Sequence, residues 1–298
     1  MSCMTSGLVR PWRRALIAVI AATIAVPNVQ AFAQTVNSGS GGSAASIETA
    51  VGAFRATFGP LGTCGANGSC GPRREINWDG VPDGFASPNT LPANFFNVNS
   101  PRGVVFSTPG TGFAVSANAG LPTPILFGNI DPSYANTFQP FTAQRLFTAI
   151  GSNITDVSLF LPGTSTAAFT RGFGVVFSDV DLANTTSLQF FDSANSSLGT
   201  FFAPTGLFSF LGVTFASSVV SRVRIISGNT ALGAGASDQN GSTRDVVVMD
   251  DFIYGEPEAV GTVVPEPSTY ALMAAGLMTL GIIQRRRHGR SSRQSRGA

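Results

Sequence analysis

"TRGFGVVFSDVDLANTTSLQFFDSANSSLGTFFAP", residues 170–204, decides how this chain is read. Three short apolar runs, 170–181, 186–193 and 198–204, are separated by four-residue stretches, 182–185 and 194–197, that are Asn-, Ala-, Ser- and Thr-rich apart from Leu182. Runs of this length between turn residues are strands. "DSANSSLGTFF" reads as strand, Asn/Ser turn, strand, which is a hairpin. The same texture extends in both directions. Further strands are expected at 74–80, 102–108, 112–117, 146–150, 156–163, 208–215, 220–228 and 244–255, with no helical run between them. "SNITDVSLFL" and "VSRVRIIS" alternate polar and apolar residues, as half-buried antiparallel strands do. About ten such strands in succession predict a mostly β fold, an antiparallel β-sandwich. No internal repeat is visible.

Composition agrees. Gly and Pro number 34 and 18, while charged residues make up only 11% of the 298, a turn-rich balance unlike that of a helical bundle. Upstream of the strands, Ile47, Val51, Phe54 and Phe58 fall at helical spacing. Ser46 is the expected N-cap, and Gly59 with Pro60 stops the helix. This short N-terminal amphipathic helix is expected to pack on the domain. Residues 34–46, rich in Ser, Gly and Ala, read as a linker. Cys64 and Cys70 flank a Gly/Asn/Ser loop, and in an oxidising compartment they pair as a local disulfide. A metal pair is the rival reading, but no nearby His or further Cys completes it.

Both ends carry addresses. Arg10, Arg13 and Arg14 precede an apolar stretch at residues 15–26, Pro27 breaks it, and Ala31-Phe32-Ala33 is a small-x-small cleavage site. That is a secretory signal peptide over residues 1–33, cut by signal peptidase after Ala33. The context of the Arg pair fits the twin-arginine pattern poorly, so the general export route is expected. Twelve apolar residues are too few to span a membrane well. Near the other end, Pro265, Glu266 and Pro267 cannot continue a helix, and Ser268 can cap one. Residues 268–284 are 17 in number, about 25 Å as a helix, the short end of a transmembrane helix. Arg285, Arg286 and Arg287 place residues 289–298 as a cytoplasmic tail, with the body of the protein outside.

Val264, Pro265, Glu266, Pro267, Ser268 and Thr269, then an apolar helix, then the Arg cluster, resemble the PEP-CTERM sorting signal, here spanning residues 265–288 after a linker at 257–264. The resemblance implies an exosortase, a membrane-embedded cysteine transpeptidase, acting near residues 265–267. It further implies a transient stay in the inner membrane and delivery to the cell surface or the exopolysaccharide matrix of a biofilm. The alternative is a plain, unprocessed anchor. The strand texture is similar to secreted jelly-roll domains of such proteins, and "DVVVMDDFIYGEP" is similar to the last strand of carbohydrate-binding jelly rolls. That resemblance implies a jelly-roll-like domain over residues 73–256. It also implies a structural calcium, with Asp250 or Asp251 at the end and Glu75 or Asp79 near the start as the parts. Asp179 and Asp181 form a separate Asp-x-Asp pair on one strand face if alternation holds. Calcium needs six to eight oxygens, so carbonyls and water would have to complete either site. The competing reading is that these acids cap turns.

Charge and residue types narrow the chemistry. All 18 basic residues are Arg, and half of them lie in the two addresses. Residues 34–264 keep nine Arg against fifteen carboxylates, a net charge of −6, which disfavours nucleic acid. The only histidine is His288. The exported part therefore excludes Ser-His-Asp and Cys-His catalysis and histidine-ligated zinc. A glycosidase built on two carboxylates remains as the alternative, although no spacing nominates a pair. The expectation is a non-enzymatic surface protein, structural, adhesive or exopolysaccharide-binding. For a sugar-binding face the candidates are Trp78, with a buried core Trp as the rival, and the adjacent pairs Phe95/Phe96, Phe190/Phe191 and Phe201/Phe202.

Overall fold

The computed structural model describes residues 33–62, 71–236, 242–259 and 277–278. Its strands are β1 (Gln34–Gly41), β2 (Arg73–Ile76), β3 (Val104–Ser107), β4 (Gly112–Val115), β5 (Phe147–Ile150), β6 (Ile154–Leu159), β7 (Gly172–Val180), β8 (Ser187–Phe191), β9 (Ser197–Phe202), β10 (Gly206–Phe215), β11 (Arg222–Ile226) and β12 (Val248–Gly255). They form two antiparallel sheets, a β-sandwich. The first sheet runs β1-β10-β7-β12-β5-β4, with β2 also paired to β12; the second runs β3-β6-β11-β8-β9. Among the described residues, consecutive strands pair only in β4–β5 and β8–β9; elsewhere the chain passes between sheets or skips a place. The β8–β9 turn is held by Asp192, whose Oδ1 accepts from Ala194 N (2.9 Å) and Ser196 N (2.8 Å).

The two sheets differ in how many faces they bury, and the sequence shows it. β7, β10 and β12 are almost continuously apolar and almost continuously buried. Their inner residues, among them Phe173, Val175, Leu211 and Phe252, meet Val157, Phe190, Val223 and Ile225 of the second sheet. Their outer residues are covered as well. Val176, Phe210 and Ile253 lie under α1 (Ala45–Phe58), and Val248 lies under Phe127, Tyr134 and Phe138 of the long β4–β5 connection. That connection carries the one-turn α3 (Tyr134–Thr137), and α2 (Phe95–Val98) precedes β3. The second sheet leaves its outer face to solvent, so β11 alternates: Val223 and Ile225 point inward, Arg222 and Arg224 outward.

α1 docks through aromatic knobs. Ile47, Val51, Phe54 and Phe58 are its buried residues. Gly212 of β10 and Gly174 of β7 are direct register partners, and together they form a hollow. The Phe54 ring fills it so closely that a Cβ on Gly212 would lie 2.6 Å from that ring, and one on Gly174 2.7 Å. Phe54 also meets Phe58 and Phe210 edge-on, at 5.1 and 5.5 Å between centroids.

Three expectations are corrected. Residues 34–46 are not a linker: Gln34 to Gly41 pair with β10 along the whole of β1, so the sandwich begins well before residue 73. The reason is that β10 would otherwise present an unpaired backbone edge, which any extended segment can satisfy whatever its side chains. Ser46 does not cap α1, which begins at Ala45 with no side-chain cap. The linker expected from residue 257 starts later, because Glu258 and Phe169 exchange both backbone hydrogen bonds. The signal peptide through Phe32, including Ala31, lies outside the described residues, as do Cys64 and Cys70. So does the sorting segment from Val264 through Arg287, apart from the helical Leu277 and Met278. Among the described residues no helix is long and apolar enough to cross a membrane.

Candidate functional site

Three of the carboxylates singled out in the sequence, Glu75, Asp250 and Asp251, meet on the outer face of the first sheet, where β12 is irregular. Between Met249 and Phe252 its register against β7 shifts by a residue, a β-bulge. Simple alternation would send Asp250 and Asp251 to opposite faces. With the bulge, both are buried and both reach Thr142 on the β4–β5 connection. Asp250 Oδ2 accepts from Phe141 N (2.5 Å) and Thr142 N (3.1 Å). Asp251 Oδ1 accepts from Thr142 Oγ1 (2.8 Å), and its Oδ2 accepts from Arg55 Nη2 (3.1 Å).

Arg55, on α1, ties the cluster together. Its Nε and Nη2 donate to both oxygens of Glu75, at 2.9 and 2.8 Å, while the same Nη2 reaches Asp251. A forked guanidinium matches a carboxylate in this bidentate way. Burial opposes the charge on Arg55, but Glu75 and then Asp251 outweigh it and hold its pKa above the usual value. Burial pushes Asp250 well above the ordinary carboxylate range, and the charge of Asp251 adds to that, against the two N–H donors. Asp251 is also raised by burial, with Thr142 and Arg55 opposing. Asp250 is thus the member of the pair that holds a proton most readily.

This donor set does not fit calcium. The ion wants six to eight oxygens. Here the free edges of Glu75 and Asp251 face a guanidinium, and Asp250 faces N–H groups, which repel a cation. Among the described residues no group of three or more His, Cys, Asp or Glu side chains is placed to hold a metal ion. The other nominated acids are dispersed. Asp79 Oδ1 accepts from Gln144 N (2.5 Å) and Arg145 N (3.0 Å), so it fixes a loop. Asp179 takes a left-handed backbone (φ 71°), which ends the alternation expected to align it with Asp181. Asp181 lies beyond β7 and is exposed, and its backbone N–H donates to Asp245 (2.9 Å). The pattern is that of acids capping backbone, for which the calcium reading was the rival.

The aromatic candidates also sort themselves. Trp78 is 1% exposed, stacks on Phe147 at 4.0 Å, and donates Nε1–H to Asp250 O at 2.8 Å. It belongs to the core and is no platform. Phe95 and Phe96 sit on the single turn of α2 and are both buried. Phe190 is buried, Phe191 lies under Arg222 (3.8 Å), and Phe201 is half-buried against the core. Phe202, at the edge of the second sheet, is the exposed member at 49%. Across the same sheet, Arg222 and Arg224 converge on Asp156, at 2.5 and 2.8 Å.

Sequence reading missed the arginines. Arg55 stands 196 residues from Asp251, and no local pattern signals that pairing. Arg145 is buried, donates to Ser116 O (3.0 Å) and pairs with Asp83. Arg102 lines a surface cavity of about 220 Å³ with Asn77, Pro82, Phe96, Asn99 and Ser100. No local pattern around any of them signals an enclosed charge.

No curated protein and no solved structure matches the chain. A family model for the PEP-CTERM protein-sorting motif matches residues 263–287, just past the last pinned residue of the sandwich. That motif, attached to an antiparallel β-sandwich, supports the chain as an exosortase substrate that is exported and sorted to the cell surface.

Proposed function

We propose that the chain is a non-enzymatic surface or matrix protein. It is exported by a signal peptide cut after Ala33 and held briefly in the inner membrane by the helix after Ser268. An exosortase then releases it near residues 265–267. Its sandwich serves as structural or adhesive material that binds exopolysaccharide in a biofilm. The observation that carries this reading is where the pairing stops. Strand pairing begins at Gln34, and the last paired residue is Glu258, while the sorting motif covers 263–287. The cuts fall at the margins of the paired region, the first removing only the Ala33 carbonyl that accepts from Ala216 N, so processing leaves every strand of the two sheets in place. The carboxylates are engaged with backbone N–H groups and guanidinium groups, which supports a scaffold more than a pair of acids poised across a groove.

The test is the mass of the protein recovered from the cell surface, with and without the exosortase. A form running from Gln34 to the region of Pro265, found only with the enzyme, is the expected result. A chain that keeps its apolar helix and arginines in both strains would reduce it to an ordinary anchored protein.

A further inference from the structure

Among the described residues, Arg55, Arg73, Arg74, Arg145, Arg222 and Arg224 each reach a carboxylate. Arg171 and Arg244 are exposed, and each donates to a backbone carbonyl, Thr57 O and Gly235 O. Arg102 is different: it is half-buried and pairs with no acid. Its Nε donates to Glu75 O (3.1 Å) and its Nη1 to Ser100 Oγ, and its plane sits 5.4 Å from the Phe96 ring centroid. Nη2 makes no hydrogen bond within the described residues. Burial holds the pKa of Arg102 below the usual arginine value; Arg74 pushes the same way and Tyr254 opposes. A guanidinium taken partly out of water without a counter-charge is destabilising, and an incoming anion would relieve that.

The cavity beside it says what kind of anion. Its rim carries Asn77 and Asn99, both exposed, whose carboxamides make no hydrogen bond within the described residues. Its floor is the apolar surface of Val81, Pro82 and Phe96. One free N–H edge suits the single charge of a carboxylate better than a phosphate dianion, which draws on several donors. At about 220 Å³ the cavity is smaller than the ~300–1,000 Å³ usual for drug-sized ligands, so it takes one ring.

We propose that this pocket binds the carboxylate-bearing ring of an acidic sugar. The carboxylate lies on Nη2 of Arg102, ring hydroxyls on Asn77 and Asn99, and the C–H face of the ring on Pro82 and Phe96. The proposal rests on the exopolysaccharide-binding reading above and names the sugar class. It gives a role to the Nη2 edge of Arg102, which the bonds to Glu75 O and Ser100 Oγ leave unused.

The test is calorimetric or NMR titration of the surface-recovered protein with methyl glucuronide, methyl glucoside and acetate, and in parallel with the cells' own exopolysaccharide. The glucuronide is expected to bind at least tenfold more tightly than the glucoside or acetate. Arg102→Gln should weaken it at least tenfold, as the loss of one charge-assisted hydrogen bond does. Asn99→Ala removes an exposed side chain with no internal bond, so it leaves folding intact; it should weaken the glucuronide severalfold. Glucuronide affinity equal to that of the glucoside or acetate, or unchanged by both substitutions, would overturn the proposal. If the polysaccharide binds and both variants bind it as well as the parent, the pocket assignment fails while the matrix reading stands. If the polysaccharide does not bind the parent protein at all, the matrix-binding reading and this proposal fall together.

Discussion

The contact between α1 and the sheet can be tested as a pair. Phe54 is fully buried over Gly174 and Gly212, and the three atoms nearest a Cβ on Gly212 are all in its ring, at 2.6, 2.7 and 2.8 Å. Distances under 3.0 Å cannot be accommodated without movement. The ring is boxed in by Phe58 and Phe210, so it has nowhere to go. Gly212→Ala should therefore destabilise by about 1–3 kcal/mol, the usual effect of overpacking. Phe54→Ala should cost about 3–5 kcal/mol through lost burial and the cavity left behind. At ~2–4 °C per kcal/mol for a domain of this size, either loss is visible in a melt. The double variant is the decisive one. With the ring gone the new methyl has room and partly fills the hole, so the two effects should fall short of their sum by about 1–3 kcal/mol. Urea unfolding of the four proteins gives that coupling directly. Additivity within about 0.5 kcal/mol would mean that Phe54 does not occupy the glycine hollow, and the account of how α1 docks would be wrong.

Two further outcomes follow from the same sheet. The folded-state pKa of Asp250 lies well above its unfolded value, so between the two the folded protein holds the extra proton, and stability falls as pH rises through that window. Acidifying through that window, from the folded-state pKa down toward the unfolded value, should thus stabilise the sandwich, by up to ~1.4 kcal/mol per pH unit for one proton. Asp250→Asn should flatten the slope, and an unchanged slope in pH-dependent unfolding would clear Asp250 of the role. Deleting residues 34–41 should strip β1 from β10 and expose a long unpaired edge, so the truncated protein should self-associate more than the parent in size-exclusion chromatography. A monomeric deletion variant of parental stability would show that β1 is dispensable cover.

The sequence by itself determined the class of the fold and the address. Alternation in "VSRVRIIS" and continuity in "GFGVVFSDV" reflect one-sided and two-sided burial, and each expected segment from Arg74 onward overlaps one of the strands β2 to β12. Those signals are local, because side-chain burial repeats along a strand. The sorting motif is likewise a contiguous string that an enzyme reads as such. Tertiary structure decided the rest. β1, "QTVNSGSG", carries no apolar pattern because its place is set by backbone bonds to β10, which any side chains permit. The fate of Asp250 and Asp251 depended on a one-residue bulge, which turns both to the same face and which composition does not encode. The positions of Arg55 and Arg102 depended on which distant carboxylate each could reach. Charge pairing acts through space, and only the folded chain fixes that a guanidinium on α1 meets Asp251 while Arg102 is left facing an open cavity.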